Sequence, residues 1–498
     1  MSEMLQKYKA YKEDLKNYGY ALFIMGFDES TDCPKDGKEY SLEVQQYFQS
    51  KMLDINLSKD YQDTLFYLRN HKEELNEIEA QSIEKECKEL DKLNKIPKEV
   101  MLQHMKNLSR SSLEWAKARE TLDYSKFEVE LKELIEYNKN YIKYLEDDKL
   151  KGFNVILNDM EDDFTTDMYD EFFNLVEVEI IPLVQQILKL PKKYNPKLLE
   201  LKFPISKQKE LTNKIADLMG YTTNVGCIRE TIHPFTSGAH NKDVRITTKY
   251  QEDQLLSNLY SIMHEVGHAL YELQNADELN NTNLSGGASC ALHESQSRFY
   301  ENYIGRSKEF IDKLYPILID IFPTELEGIT KEDIYYYCNS VESQTIRIEA
   351  DELTYPIHVL IRYKIEKMIF NNEIEVEDID KLFNDLMEEY LLIRPTNKKE
   401  GCFQDSHWSG FFGYFPTYAL GSAMSAQILN AMRKDLDFEQ TVSNLDFKTI
   451  NTWLKEHIHK YGSSKKNLEV LKIATGEDFD PKYYIDYLKN KFKNIYEL

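Results

Sequence analysis

The stretch of sequence that decides the fold runs from Glu252 to Gln274 and reads EDQLLSNLYSIMHEVGHALYELQ. Its apolar residues recur three and four positions apart and form one stripe, which consists of Leu255, Leu259, Ile262, Val266, Ala269 and Leu273. This spacing matches the turn of an amphipathic α-helix. The segment is therefore predicted to be a helix that packs one face against a core.

The same segment contains the HExxH motif His264-Glu265-Val266-Gly267-His268. On a helix the two histidines lie one turn apart on one face, where both imidazoles can bind a single Zn²⁺. Glu265 projects beside them, where a carboxylate can take a proton from water. Chance predicts only about 0.02 such motifs in a chain of this length. The motif therefore indicates a metal centre with His264 and His268 as ligands and Glu265 as catalytic base.

A zinc site of this kind needs a third protein ligand. The metzincin continuation would place a glycine and a histidine after the motif, but Tyr271 and Gln274 stand there. A carboxylate on a following helix is the alternative, and the apolar periodicity from His293 to about Ile304 predicts such a helix. Glu294 is the preferred ligand, and Glu301 on the same helix is its competitor.

Composition limits the class of protein. The chain has 498 residues, of which 42% are hydrophobic, and it contains only 18 glycines and 13 prolines. It can therefore bury a large core, and so few helix breakers favour long helices over a turn-rich sandwich. The net charge of −24 argues against a nucleic-acid partner, because DNA affinity comes largely from the neutralisation of phosphates.

The sequence also limits the cellular setting. No run of about 18 apolar residues occurs, and the N-terminal residues lack the apolar core of a secretion signal. We therefore expect no membrane partner. The six cysteines lie far apart and form no CxxC pair, which favours reduced, buried thiols and a cytoplasmic location.

The predicted fold class is mainly α: one unit over residues 1–498, in which a large helical body and a small β-sheet adjoin a deep active-site cleft. Residues 1–205 show helical periodicity among many charges, and we expect this N-terminal half to cover the cleft. Residues 206–498 form the catalytic half with the metal site. There, 222–232 and 244–250 are rich in Thr, Val and Ile and flank a turn-rich loop, which predicts a β-hairpin or small sheet.

Beyond HExxH, the chain resembles the M32 metallocarboxypeptidases, the family of HExxH enzymes similar to thermostable carboxypeptidase. Six motifs carry the resemblance, in the order in which the family has them: His233-Pro-Phe235, Asp243-Val-Arg-Ile-Thr247, His264–His268, His293-Glu-Ser-Gln296, Ile346-Arg-Ile-Glu-Ala-Asp351 and Gly401-Cys-Phe-Gln-Asp-Ser-His-Trp408. They span the C-terminal half, while the N-terminal half resembles the family only in length and helical texture.

The resemblance implies a zincin-type fold with His264, His268 and Glu294 on the metal and Glu265 as the base. It implies Zn²⁺ as cofactor, for which Co²⁺ or another divalent ion can substitute, and a homodimer. It assigns Arg347 to the terminal carboxylate of the substrate, a role that suits a guanidinium because it binds a carboxylate through two hydrogen bonds. The alternative for Arg347 is an ion pair with Asp351, four residues later.

The remaining candidates have open roles. Arg245 can line the substrate site or pair with Asp243. His233 can contact substrate or end a strand. Related HExxH peptidases use a histidine and a tyrosine to stabilise the oxyanion, and His407 with Tyr418, or else with Tyr414, are the candidates here. The segment from Tyr355 to His358 reads as buried packing beside Arg347.

The activity that these residues imply is metal-dependent hydrolysis that releases C-terminal amino acids from peptides with a free C-terminus. Two alternatives remain at this stage. One is an oligopeptidase that cuts internal bonds on the same scaffold. The other is an inactive helical scaffold protein, which the intact HExxH motif argues against.

Overall fold

The computed structural model describes residues 2–498. Its N-terminal half contains ten α-helices: α1 Glu3–Ser30, α2 Lys38–Asn56, α3 Lys59–Asn70, α4 Glu77–Leu93, α5 Lys98–Thr121, α6 Ser125–Leu145, α7 Phe153–Met160, α8 Thr166–Leu175, α9 Ile181–Ile187 and α10 Ile205–Met219. A π-helical segment, Val176–Ile180, joins α8 to α9. The predicted helical character of this half is confirmed.

The catalytic half begins with three short strands, β1 Ile228–Glu230, β2 Thr236–His240 and β3 Asp243–Thr248. Eleven α-helices follow within the described residues: α11 Leu255–Leu273, α12 Cys290–Arg298, α13 Lys308–Ile321, α14 Lys331–Cys338, α15 Tyr355–Phe370, α16 Ile379–Leu391, α17 Pro416–Asp435, α18 Phe438–Ser443, α19 Phe447–His457, α20 Asn467–Thr475 and α21 Lys482–Tyr496. The fold is mainly α with one small sheet, as predicted.

The sheet has the strand order β1-β3-β2, with β1 parallel and β2 antiparallel to β3. A small sheet is confirmed, but the expected hairpin partner of β3 is wrong. The antiparallel partner is β2, which lies inside the segment predicted to be a loop. The reason is a tight turn at Asn241 and Lys242, which pairs His240 with Asp243 and places a bulge between Gly238 and His240.

Two hydrophobic cores stabilise these elements. A large core runs through α6 to α21 and includes the buried face of α11. A much smaller one joins α1, α3 and α4 through residues such as Tyr8, Leu65 and Ile83. The N-terminal helices reach the catalytic half through specific contacts: Phe27 packs edge-on against Phe235 beside β2, and Ser82 of α4 donates to Asn283.

Cysteine chemistry and membrane character follow the sequence in part. All six cysteines are free thiols; Cys87, Cys338 and Cys402 are buried, whereas Cys33, Cys227 and Cys290 are only half-buried. Within residues 2–498, no helix combines the length and the apolar character needed to cross a bilayer.

Candidate metal centre

Helix α11 carries the HExxH motif and supplies two of the three candidate metal ligands. Its apolar stripe is buried as predicted, with Leu259, Ile262 and Val266 at most 1% exposed. The opposite face presents the two histidine rings, whose centroids lie 4.8 Å apart in an edge-to-face arrangement. Burial lowers the pKa of His268 to about 3, so this imidazole is neutral and has a lone pair for a metal.

Glu294 comes from α12 and faces both histidines. Its Oε2 lies 3.6 Å from Nε2 of His264 and 3.4 Å from Nε2 of His268. Two ligand atoms on a tetrahedral Zn²⁺, each about 2.0–2.1 Å from it, lie about 3.3–3.4 Å apart. The two nitrogens and the oxygen therefore fit one cation, and all three donor atoms lie within 4.8 Å of one another. The structure thus brings together the three residues that the sequence selected.

Two glycines allow α12 to approach its neighbours closely enough for this fit. A Cβ at Gly267, between the two histidines, would lie 2.8 Å from the carbonyl oxygen of Gln296 on α12. A Cβ at Gly421 of α17 would lie 2.8 Å from Cβ of Glu294 itself. Both distances are shorter than real contacts, so neither position has room for a side chain. The metal-facing carboxylate is therefore held between two helices at points where both lack side chains.

Glu301, the competing ligand, has a different role. Its Oε2 accepts a hydrogen bond from Nδ1 of His264 at 2.9 Å, and Arg298 and Arg306 form ion pairs with the same carboxylate. Burial acts to raise the pKa of Glu301, but Arg298, the hydrogen bond from His264 and the charge of Arg306 outweigh it and lower the pKa to about 2. Glu301 therefore stays ionised and orients His264 from behind.

Hydrogen bonds hold the carboxylate of Glu294 in place as well. Its Oε1 accepts from Nε of Arg298 at 2.7 Å, and its Oε2 accepts from the hydroxyl of Ser297 at 3.1 Å. Burial would raise the pKa of Glu294, yet Arg298 and both histidines hold it well below its usual range. The carboxylate is therefore charged and presents one oxygen to the cation site.

Glu265 lies beside the ligands and is 7% exposed. Its Oε2 accepts a hydrogen bond of 2.6 Å from the hydroxyl of Thr236 on β2, a hydroxyl that also lies 3.0 Å from the main-chain oxygen of Glu265. Burial raises the pKa of Glu265 above its ordinary value, which suits a group that must accept and return a proton. Thr236 was not among the residues predicted from sequence, because it lies in the segment assigned to a loop.

His264 and Glu265 open into a cleft of about 660 Å³, whereas His268 and Glu294 do not line it. Arg347, Tyr355 and His233 line the same cleft. Of residues 2–205, only Leu199 borders this cleft. The cleft therefore places the predicted base and the predicted carboxylate-binding arginine around one space.

Arg347 is buried, but its ion-pair partner differs from the expected one. Its Nη2 and Nε lie 2.9 and 3.3 Å from the two oxygens of Asp405, so the pairing with Asp351 is wrong. Asp351 instead accepts main-chain hydrogen bonds from Glu342, Leu353 and Thr354. The four-residue spacing does not produce a helical ion pair because the chain here forms only a short 3₁₀ turn, Arg347–Glu349.

A chain of contacts links this arginine back to the metal ligands. Arg298, which binds Glu294, lies over the ring of Tyr355 at 4.3 Å, and the hydroxyl of Tyr355 accepts from Nη1 of Arg347 at 3.1 Å. The guanidinium of Arg347 in turn lies 4.8 Å from the ring centroid of Tyr418. Tyr355 therefore contacts both guanidinium groups, a role that exceeds the packing predicted for it.

His407 and the two candidate tyrosines lie together. Nε2 of His407 is 3.1 Å from the hydroxyl of Tyr418, and its ring stacks on Tyr414 with centroids 5.5 Å apart. Burial lowers the pKa of His407 to about 4, so the ring is neutral. Its Nδ1 is buried without a hydrogen-bond partner. Of the two tyrosines, Tyr418 therefore makes the hydrogen bond to the histidine.

The loop that carries His407 is anchored by a buried ion pair. Nε of Arg362 donates to Glu366 at 2.7 Å, and both side chains are at most 3% exposed. The guanidinium stacks on Trp408 at 3.2 Å, and Glu366 accepts from the main-chain nitrogen of Gly413 at 2.8 Å. The loop that carries His407 is thus held at Trp408 and at Gly413.

Arg245 takes the second of its two predicted roles. It forms a bidentate pair with Asp243, at 2.9 and 3.0 Å, and its guanidinium lies over Phe23 and Phe27 of α1. It does not line the cleft described above. Arg245 therefore attaches α1 to the sheet.

Comparisons with known proteins agree with this site. The chain matches the family described as Carboxypeptidase Taq (M32) metallopeptidase over residues 7–492. It is 38% identical to Carboxypeptidase 1 of Bacillus subtilis over 97% of both chains, and 34% identical to Thermostable carboxypeptidase 1 of Pyrococcus furiosus over 95% of both. The crystal structure of the M32 carboxypeptidase from Deinococcus radiodurans superposes with a TM-score of 0.95, at 26% identity, over the full length of both chains.

The three candidate donors, the candidate base Glu265 and the cleft lined by Arg347 thus occur in a chain whose sequence and fold match these enzymes along nearly their whole length. The chain belongs to the M32 family of metallocarboxypeptidases.

Proposed function

We propose that His264, His268 and Glu294 hold one Zn²⁺ and that this centre removes single residues from the C-terminus of peptides. The supporting observation is the convergence of three donor atoms within 4.8 Å, with Glu265 next to His264 on the cleft that both line. Two imidazoles and one carboxylate suit Zn²⁺, and Co²⁺ or another divalent ion can occupy the same donors. Such an ion polarises the scissile carbonyl and acidifies water.

Glu265 performs the proton transfers in this proposal. Its carboxylate takes a proton from the attacking water and passes it to the leaving amine. The hydrogen bond from Thr236 fixes the direction of Oε2, so the carboxylate keeps the same orientation between catalytic cycles. Burial, which raises the pKa of Glu265, brings its basicity closer to that of a group that cycles near neutral pH.

Arg347 binds the C-terminal carboxylate of the substrate in this proposal. A guanidinium has five N–H groups, of which Asp405 takes two and Tyr355 takes one. One N–H on each terminal nitrogen remains, which is the pair that a carboxylate can bind through both oxygens. Asp405 keeps the group in place, and His233 also lines the cleft, where it can contact the body of the peptide.

Tyr418 and His407 stabilise the oxyanion of the tetrahedral intermediate. The neutral His407 donates from Nε2 to the oxygen of Tyr418, which leaves the phenolic proton free to point at the developing charge. Tyr414 supports this arrangement by stacking on His407. In this assignment Nδ1 of His407 is a lone pair, which agrees with its lack of a partner.

The test compares a short peptide with its C-terminally amidated twin, after metal analysis of the purified protein. We expect one divalent ion per chain, stepwise release of C-terminal residues from the free peptide, and little cleavage of the amide. Equal cleavage of both peptides would replace this proposal with the oligopeptidase alternative. A metal-free protein with full activity would remove the metal centre from the mechanism.

Three further proposals concern the surroundings of the site. We propose a homodimer, on the basis of the family resemblance, and a cytoplasmic location, which six free thiols favour. We also propose that the N-terminal half shields the cleft from outside: only Leu199 of residues 2–205 lines it, but α1 packs through Phe27 against Phe235, next to the strand that carries Thr236. Size-exclusion chromatography with light scattering tests the first of these directly.

A further inference from the structure

His293 and Glu272 form a contact with His268 that the mechanism above does not use. Nδ1 of His268 lies 2.6 Å from Nδ1 of His293, and Nε2 of His293 lies 2.7 Å from Oε1 of Glu272. From this geometry we propose that His293 and Glu272 are positioning residues that fix His268 in the tautomer and orientation needed to bind the metal. The inference rests on the proposed ligation by His268.

The positions of the protons follow from these contacts. His268 must present the lone pair of Nε2 to the cation, so its proton is on Nδ1 and is donated to His293. Nδ1 of His293 must then be an unprotonated acceptor, which places the proton of that ring on Nε2. This proton is donated to the carboxylate of Glu272. Each of the two hydrogen bonds therefore has one allowed direction.

Packing holds the second imidazole in this orientation. The ring of Tyr271 lies 5.2 Å from that of His293, and the main chain passes so close at Gly287 that a Cβ there would lie 2.5 Å from Cδ2 of His293. Glu272 follows His268 by four residues on α11, so the carboxylate and the ligand lie on one face of the same helix. His293 bridges them from α12, directly before Glu294.

The two ligand histidines are therefore supported differently. Nδ1 of His264 donates directly to a carboxylate, that of Glu301, which two arginines neutralise. Nδ1 of His268 donates to the ring of His293, and the carboxylate of Glu272 lies one ring further away, 23% exposed and without an arginine among its ion pairs. Removal of the support is thus expected to affect the position of His268 more than the net charge at the metal.

The experiment measures metal affinity by chelator competition and records the Co²⁺ absorption spectrum, so neither readout needs turnover. His293→Phe keeps the volume but removes the acceptor, and a loss of about 10–100-fold in metal affinity is expected. His293→Asn places an oxygen close to the position of Nδ1 and should recover most of that loss. Glu278→Gln, which removes an exposed carboxylate from the 3₁₀ turn that follows α11 in the chain, is the control and should leave the affinity unchanged.

Glu272→Met tests the outer member and does not depend on whether the His293 variants fold. We expect weaker metal binding, and no additional weakening when it is combined with His293→Phe, because both remove the same support. Wild-type affinity and an unchanged Co²⁺ spectrum in both single variants would overturn the inference. Equal losses for His293→Phe and His293→Asn would also overturn it, since packing alone would then explain the effect. If the wild-type chain bound no metal, the proposed ligation itself would fail instead.

Discussion

The two sides of the cleft are built in different ways. The metal side consists of two helices that are neighbours in the chain, α11 and α12, and its proposed ligands are oriented by Glu272 on α11 and by Glu301 in the π-helical segment Phe299–Ile304 that continues α12. The other side combines a 3₁₀ turn, a loop and α17, which are distant in sequence and meet through Arg347, Asp405 and Tyr418. The metal side is therefore set by local geometry, whereas the arginine side depends on tertiary packing.

The largest effect is expected on the metal side. Glu265→Gln should lower kcat about 10³-fold, because the amide cannot take a proton from water. Metal content should remain at one ion per chain, since Glu265 is not a ligand. Steady-state kinetics and metal analysis check both statements, with Glu278→Gln as the matched control. A variant that kept wild-type kcat would remove Glu265 from the chemistry.

A smaller effect is expected at Tyr418. Tyr418→Phe keeps the ring that packs on Arg347 and removes only the hydroxyl that His407 contacts. We expect kcat to fall about 10²-fold with KM nearly unchanged, because an oxyanion donor acts on the transition state. Tyr414→Phe is the matched control and should change kcat far less. Equal losses in the two variants would mean that the assignment between the tyrosines is wrong.

Substitution of the carboxylate-binding arginine should separate binding from chemistry. Arg347→Lys keeps a charge for Asp405 but removes the paired N–H groups, so kcat/KM for a free-acid peptide should fall about 30-fold. The residual activity on the amidated peptide should not change. Arg245→Lys makes the same substitution outside the cleft and should alter kcat/KM less than twofold. Similar losses in both variants would contradict the role of Arg347.

The smallest effect concerns the support of α12. Glu161 is fully buried and accepts hydrogen bonds from the main-chain nitrogen of Ala291, at the start of α12, and from Asn467. Burial raises the pKa of Glu161 to about 7, so the folded protein holds a proton that the unfolded chain releases near its ordinary pKa of 4.5. The stability due to this proton is complete below about pH 4.5 and is lost as the pH rises to about 7.

Glu161→Gln should remove this pH dependence. Between pH 5 and pH 8, the Tm of the wild type should fall by about 3 °C relative to the Tm of the variant. This shift corresponds to a change of about 3 kcal/mol in the free energy of unfolding for a chain of this length. Differential scanning fluorimetry across that range measures it. A difference that stays constant with pH would show that Glu161 is ionised in the folded protein.

The same contrast explains what could be predicted from sequence. The metal side was predictable because helical periodicity fixes which residues share a face, and the apolar stripe of α11 made its direction unambiguous. Glu294 and Glu301 could be placed on one helix but not separated in role, since that depends on how α12 packs against α11.

The arginine side and the sheet were less predictable. Asp405 is 58 residues from Arg347, so no local pattern pairs them. The strand that carries Thr236 was read as a loop because turn residues such as Gly238 and Asn241 occur in its segment, a signal that pairing with β3 overrides. Glu272 follows His268 by four residues and His293 directly precedes Glu294. This spacing from the predicted ligands was the one signal in the sequence for their role.

The contacts at Gly267 and Gly421 have a consequence for how this centre can vary. The distance that Glu294 reaches toward the cation site depends on how closely α12 packs against α11 and α17. This close packing is possible because Gly267 and Gly421 have no side chains. A single alanine at either glycine would wedge the helices apart by several tenths of an ångström, a change comparable to the difference in ionic size among divalent metals. We therefore expect the fit of the metal ion to depend on two residues that do not contact it.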